Sequence, residues 1–149
     1  MRKASIFELI RTAELLNDKT IIHFLNSFTE NVGISQILVL SQLREKGPQK
    51  QSQLANTLGY TPGAMTGISN KLIELGYAER KYDENDRRII LLKVTDKGLE
   101  LLQEAQKQGQ AVRENLYSVL SEEEIMQLLA IQRKLLNHIL NIESESKER

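Results

Sequence analysis

The sequence predicts a mainly α-helical chain with one two-stranded hairpin, arranged as a winged helix-turn-helix between longer terminal helices. Three observations predict it. Apolar residues recur at three- and four-residue steps through most of the chain. That period gives way once, between Tyr77 and Val94, to two short strand-like runs. The two helices before those runs are short and joined by a tight Gly59-Tyr60 turn, which gives them helix-turn-helix proportions.

The first helix spans Ser5 to about Phe28, with Ile6, Leu9, Ile10, Ala13, Leu16, Ile21, Phe24, Leu25 and Phe28 at its apolar positions. Gly33 breaks the chain. Ser35 can cap a second helix that turns Ile37, Leu38, Leu40 and Leu43 inward and stops at Gly47-Pro48. A third, short helix runs from about Gln51 to Leu58, with Leu54, Ala55 and Leu58 apolar. Thr61 is a good N-cap residue, and Pro62 sits at the first helical position, where its missing N–H costs nothing. The fourth helix reaches about Leu75, buries a stripe of Met65, Ile68, Leu72 and Leu75, and ends at Gly76. The runs Tyr77–Tyr82 and Ile89–Val94 flank the polar stretch 83–88 and read as a hairpin with a charged tip. Thr95 can cap a fifth helix from Asp96 to about Val119. Ser121 with Glu124 three residues on forms a capping box, opening a sixth helix to about Ile142. The tail Glu143–Arg149 is polar and is expected to fray.

A chain of 149 residues, 40% hydrophobic, is long enough for one domain with a sizeable core. We read 1–149 as that domain: a first helix in 1–33, a winged region in 34–98, the last two helices in 99–142 and a tail in 143–149. Within the winged region the helix-turn-helix covers about 51–75 and the wing about 77–94. The absence of cysteine excludes disulfides, thiolate metal sites and thiol redox switches. The start carries Arg2 and Lys3, but Ile6–Ile10 contains Glu8 and precedes Arg11, an amphipathic helix start and not a signal peptide. No run of about 18 apolar residues exists to cross a membrane, so a cytoplasmic protein is expected. The net charge is zero, which argues against a strongly basic surface. The distribution is uneven: residues 44–98 hold 10 basic against 7 acidic groups, and residues 99–149 hold 6 against 9.

In a helix-turn-helix the second helix enters the major groove of DNA and its exposed face reaches base edges. Here the face opposite the buried stripe is Gly63, Thr66, Gly67, Asn70, Lys71 and Glu74. Thr66 and Asn70 can hydrogen-bond bases, and Lys71 can meet a phosphate. Glycine costs about 1 kcal/mol relative to alanine inside a helix, so Gly63 and Gly67 need a reason, and close approach of a DNA strand is one. For that helix taken alone a merely solvated face explains the same residues. The hairpin that follows changes the balance, because Arg87-Arg88 at its tip can enter the narrow, electronegative minor groove. Asp86 beside them is expected to pair with Arg88 or Arg87 and hold the tip in shape, while Asp83 and Glu84 remain an electrostatic cost.

The ordered set Leu54-Ala55, Leu58-Gly59, Leu72…Leu75-Gly76-Tyr77…Arg80, Asp86-Arg87-Arg88 and Val94-Thr95-Asp96-Lys97-Gly98 resembles the signature of MarR-type regulators, over about Ser35 to Gly98. The resemblance implies a homodimer built by the first, fifth and sixth helices. It also implies that each protomer puts its fourth helix in a major groove of double-stranded operator DNA and its wing in the adjacent minor groove. Many relatives are repressors released by small anionic or phenolic ligands. By resemblance Asp86 and Arg88 match the wing Asp-x-Arg, with the arginine reaching DNA. Thr61, Thr66, Asn70 and Lys71 fall in the recognition helix, and Gln51 and Ser52 open the helix before it, where they could meet phosphates. Gly67 departs from the pattern, since many relatives carry a long basic side chain there.

The broad apolar faces of the first helix and of the sixth (Ile125, Leu128, Leu129, Leu135, Leu136, Ile139, Leu140) need a partner, either the same chain or a second copy. A dimer would suit a palindromic operator with half-sites roughly 34–36 Å apart. His23 beside Phe24 is a candidate ligand contact, although a lone histidine at such a place is more often packed or solvated. His138 reads as an interface or surface residue. With no cysteine and only these two histidines, neither a metal site nor a cofactor is expected. No nucleophile–base pairing and no phosphate-binding glycine loop point to an enzyme. The competing reading is a winged-helix protein-interaction module without DNA recognition, which zero net charge, the two glycines and the acidic wing residues favour.

Overall fold

The computed structural model describes residues 2–28 and 30–149; Met1, Thr29 and the side chains of Arg2, Lys3 and Ala4 lie outside the described residues. The order is α1 (Arg2–Ser27), α2 (Ile34–Lys46), α3 (Gln51–Leu58), α4 (Pro62–Glu74), β1 (Ala78–Tyr82), β2 (Ile90–Val94), α5 (Asp96–Tyr117) and α6 (Glu122–Lys147). The chain divides into two compact units, Met1–Gln110 and Ala111–Arg149.

The first unit holds the core. Val39, Leu40 and Leu43 of α2 are buried, as are Leu54 and Ala55 of α3, Met65, Ile68 and Leu72 of α4, Ala78 and Leu92 of the strands, and Leu101, Leu102 and Ala105 of α5. Phe24 and Phe28 are also buried, with their rings stacked 5.2 Å apart. In α2 the inward residue is Val39, while Leu38, which the periodicity turned inward, is exposed. The apolar run 37–40 allows either phase, and the i, i+1, i+4 set Val39, Leu40, Leu43 wins. The cap of α2 also differs from the expected Ser35. Gly33 is the N-cap, and the Gln36 side chain accepts its N–H at 2.6 Å. Gln36 thus does for Gly33 what a Glu or Gln does in a capping box.

The strands pair antiparallel with Ala78 opposite Val94 and Tyr82 opposite Ile90. A third segment, just after the Gly47-Pro48 stop, joins them. Gln49 bridges to Leu92, each donating its N–H to the other's carbonyl, at 3.0 and 2.8 Å. This pins the start of α3 to the wing.

The motif after the wing has a mechanical role. The Thr95 hydroxyl donates to the Gly76 carbonyl at 2.7 Å and accepts the Gly98 N–H at 3.1 Å. Lys97 Nζ donates to the Leu75 carbonyl at 2.9 Å and sits 5.0 Å from the Tyr77 ring centre. A cation therefore closes the C-terminal end of α4, where carbonyls are unpaired. Gly98 must be glycine, because a Cβ there would strike the Tyr77 carbonyl oxygen and lie 2.7 Å from Val94 Cγ2.

In the second unit, α6 opens on a reciprocal capping box. Ser121 Oγ accepts the Glu124 N–H at 3.1 Å, and Glu124 Oε1 accepts the Ser121 N–H at 3.0 Å. The backbone bond first, and the hydroxyl second, hold the Glu124 carboxyl below its ordinary range. The helix continues to Lys147 and does not fray at Ile142. Glu and Lys are good helix formers, and Ser144 and Ser146 donate their hydroxyls back to the Leu140 and Ile142 carbonyls at 3.1 Å. No residue of α6 is buried.

Candidate nucleic-acid interface

The candidate interface is built on α3, the turn after it, α4 and the wing. Gly59 ends α3 in the left-handed region, at φ 75° and ψ 24°, a conformation that costs a residue with a Cβ and costs glycine nothing. The chain reverses there, and Tyr60 donates its N–H to the Ala55 carbonyl at 2.9 Å. Thr61 then caps α4, its hydroxyl oxygen accepting the Ala64 N–H at 3.1 Å. One of the two acceptor lone pairs of the Thr61 hydroxyl is thus engaged by the helix.

Helix α4 buries Met65, Ile68, Ser69 and Leu72 and exposes Gly63, Thr66, Gly67 and Asn70. Lys71 is half-buried at the edge of that face, less free than its sequence position suggested. A Cβ built on Gly63 or Gly67 meets nothing within 4 Å, so nothing in the protein's own packing requires either glycine. The Thr66 hydroxyl is doubly engaged. It donates to the Pro62 carbonyl at 2.9 Å and accepts from Gln51 Nε2 at 2.9 Å. Gln51, expected only to meet phosphate, thus ties the first turn of α3 to α4. Ser52 is exposed beside it.

At the wing tip Asp86 pairs with Arg88. Its Oδ1 accepts the Arg88 N–H at 3.0 Å and Arg88 Nε at 3.1 Å, and its Oδ2 accepts Arg88 Nη2 at 3.1 Å. This fork matches guanidinium to carboxylate in two parallel bonds. The Arg88 side-chain bonds, then its backbone N–H, and lastly the charge of Lys50 hold the Asp86 carboxyl below its usual range. Arg88 is correspondingly pushed up, and its side chain remains 90% exposed. Arg87 is exposed. The other acidic groups of the wing are satisfied locally: Asp83 Oδ1 accepts the Asn85 N–H at 2.8 Å, and Glu84 lies 3.8 Å from Lys81.

Two residues absent from the sequence-based site belong to this surface. Arg80 Nη2 donates to Asn70 Oδ1 at 2.9 Å and links wing to recognition helix. Strand alternation held the signal, because Arg80 lies two residues from buried Ala78 and opposite buried Leu92, on the strand face those residues share, although it is itself exposed. Lys50, at the N-cap of α3, is the other, through its charge on Asp86.

His23 is exposed on α1. A concavity along α5 is lined by Glu100, Gln103, Glu104, Gln106, Lys107 and Gln110, a polar and net acidic wall unsuited to an anionic ligand. Among the described residues no group of three or more His, Cys, Asp or Glu is placed to hold a metal, and no helix is long and apolar enough to cross a membrane.

The profile of the MarR family matches residues 33–90. The transcriptional repressor MprA of Escherichia coli K12 is 30% identical over 154 residues, an alignment covering 96% of this chain and 88% of that one. The HTH-type transcriptional repressor MdtR of Bacillus subtilis is 31% identical, over 71% of this chain and 68% of that one. Among solved structures, YusO of Bacillus subtilis superposes with a TM-score of 0.75 at 25% identity, covering 92% of this chain and 98% of that one. Wild-type apo MarR of E. coli superposes at 0.72 and 25% identity, covering 87% and 95%.

Proposed function

This chain belongs to the MarR family and is a DNA-binding transcriptional regulator, and on that premise we propose that it acts as a homodimeric repressor on a palindromic operator. The observation that carries the reading is the face of α4. Its second half is anchored by buried Ile68 and Leu72, while Gly63, Thr66, Gly67 and Asn70 are exposed, the two glycines with open space around them, beside a wing bearing Arg87 and Arg88. The recognition helix would enter the major groove, with Arg87 and Arg88 in the neighbouring minor groove and Gln51, Ser52 and Lys71 near phosphates. Asp86 is the wing's internal brace, which presents the exposed Arg88 in one orientation.

Unmet apolar surface supports the homodimer. Phe7 and Leu9 of α1 are 70% and 68% exposed, and Leu135 and Leu136 of α6 are 59% and 55% exposed. Apolar area of this kind is stabilised by about 25 cal/mol per Å² when covered. A second copy of the chain would supply that cover and set the half-site spacing. We further propose a cytoplasmic location, no enzymatic activity, and release by a small anionic or phenolic effector that favours the DNA-free form.

Selection of random duplexes at two salt concentrations tests the proposal. An enriched palindrome whose affinity falls steeply with salt is expected, since phosphate contacts release counterions. Weak binding at both salts with no enriched sequence would instead favour an interaction module. That alternative draws on zero net charge, the two glycines and the acidic wing; of these, the wing's Asp83, Glu84 and Asp86 are occupied within the wing itself. Linkage tests the effector: it and operator DNA must weaken each other's binding by the same factor.

A further inference from the structure

Most polar groups on the exposed face of α4 are already committed. Thr66 makes two hydrogen bonds inside the chain and Thr61 caps the helix. Asn70 differs, because only its oxygen is engaged, by Arg80 Nη2 at 2.9 Å. A guanidinium carries donors and no acceptor, so the atom facing it must be Oδ1. The amide flip is thus fixed by chemistry. Nδ2, with two N–H donors, is turned away from Arg80.

An unrestrained asparagine reads adenine with both ends, accepting from N6 through Oδ1 and donating to N7 through Nδ2. With Oδ1 turned to a cation on the wing, one of its two lone pairs is engaged and the carboxamide is held with Nδ2 away from Arg80, so the adenine fork is weakened and the two donors lead. In the major groove guanine presents two acceptors, N7 and O6; thymine presents one, O4, beside its methyl; adenine presents one acceptor beside a donor, and cytosine a donor alone. Nδ2 therefore matches guanine, and at adenine it faces the N6 amino group donor to donor.

We propose that Arg80 is a positioning residue that orients Asn70 to read the groove chiefly as a donor, so that this protein favours guanine where a free asparagine would favour adenine. The inference rests on α4 occupying the major groove, as proposed above. Arg80 touches no base in this scheme; it acts through Asn70. Because the two residues belong to β1 and α4, the wing also sets what the recognition helix can read.

The test compares wild type, Arg80→Lys, Arg80→Met and Asn70→Ala by selection from random duplexes. Affinities are then measured for duplexes carrying each of the four base pairs at the position where Asn70→Ala changes the preference. Wild type is expected to favour guanine over adenine there by about fivefold or more. Arg80→Lys, which also offers only donors, keeps that ratio. Arg80→Met lowers it to about one or inverts it, with other positions of the site unchanged. Both residues are exposed, so thermal midpoints near that of wild type are expected. Three outcomes overturn the proposal: an adenine preference in wild type, a guanine preference that survives Asn70→Ala, or an Arg80→Met variant weaker on all sequences with the ratio intact. If wild type enriches no sequence, the regulator reading falls and this inference falls with it. An enriched palindrome with any of the three outcomes removes this inference alone.

Discussion

The winged region and the terminal helices spend the same apolar residue types in opposite ways. Leu54, Met65 and Leu72 of the winged region are 0% exposed, whereas Leu135, Leu136 and Ile139 of α6 are 59%, 55% and 53% exposed. Polar groups divide likewise. Around α4 they bond across elements, as Gln51 does to Thr66, Arg80 to Asn70 and Lys97 to Leu75. Along the last turns of α6 the serine hydroxyls bond locally, each to the carbonyl four residues back. One region is completed by its own chain. The other carries an apolar face that its own helix leaves exposed, and the homodimer proposed above would cover it and double the DNA-reading surface.

The largest effect should come from charging that face. Leu136→Glu with Ile139→Glu puts two carboxylates where the lone chain already meets water. Were that surface free, each change would cost within about 0.5 kcal/mol, the range of ordinary surface substitutions. In a dimer core, burying unpaired charge costs several kcal/mol. Sedimentation should show the mass halved, and operator affinity should fall more than 100-fold because one lobe must then bind alone. An unchanged mass would break the comparison, since α6 would then be a solvated helix.

Next in size is Gly98→Ala, which attacks the completed region. The new Cβ would overlap the Tyr77 carbonyl oxygen and crowd Val94 Cγ2. Overpacking against backbone costs about 1–3 kcal/mol or more, and at this chain length each kcal/mol lowers Tm by about 2–4 °C. Loss of DNA binding should follow the loss of fold. A variant as stable as wild type would mean that the segment from Val94 to Gly98 yields more readily than its hydrogen bonds suggest.

How far the sequence revealed each region follows the same division. Signals confined to a few neighbouring residues were readable: Thr61-Pro62 opening α4, Ser121 with Glu124 opening α6, and the break at Gly76. Asp86 beside Arg88 was readable too, although the choice of Arg88 over Arg87 needed the tip geometry. Signals that depend on where a distant element lands were not. The bond from Arg80 to Asn70 joins residues 10 apart and that from Gln51 to Thr66 residues 15 apart, across elements whose packing no local period reports. Gln49, between the Gly47-Pro48 stop and the helix from Gln51, carries no local signal, because one strand bridge leaves no alternation to detect. Leu38 and Val39 shared an apolar run, and only the cap at Gly33 and the packing settled the phase.

A smaller effect, confined to function, is expected at the wing tip. Arg88→Ala should leave the dimer intact and cost about 1–3 kcal/mol of operator affinity if a base edge is lost. Asp86→Asn should act in the same direction by loosening the brace. The Asp86 carboxyl is held below its ordinary value, so the order it gives the wing is fully present above the unfolded pKa of about 3.9. That order is lost only as pH falls through the lower folded value. Amide exchange at Arg88 should therefore stay protected at pH 5 in wild type and be faster in Asp86→Asn. Equal protection in both would assign the wing's order to its backbone alone.

The smallest change is the sharpest test of what the exposed face of α4 is for. Gly67→Ala places a methyl where nothing lies within 4 Å, on a helical residue. Alanine is better than glycine in a helix by about 0.5–1 kcal/mol, so the variant should be more stable, with Tm raised by about 2–3 °C. If DNA approaches the backbone at Gly67, the same methyl must weaken operator binding. A gain in stability with a loss in affinity would show that the protein gives up helix stability at this position for contact. Gains in both, or unchanged affinity, would place Gly67 outside the groove and shift the contact toward Thr66 and Asn70. Because the free protein gives the methyl only empty space, any lost affinity has to arise in the complex.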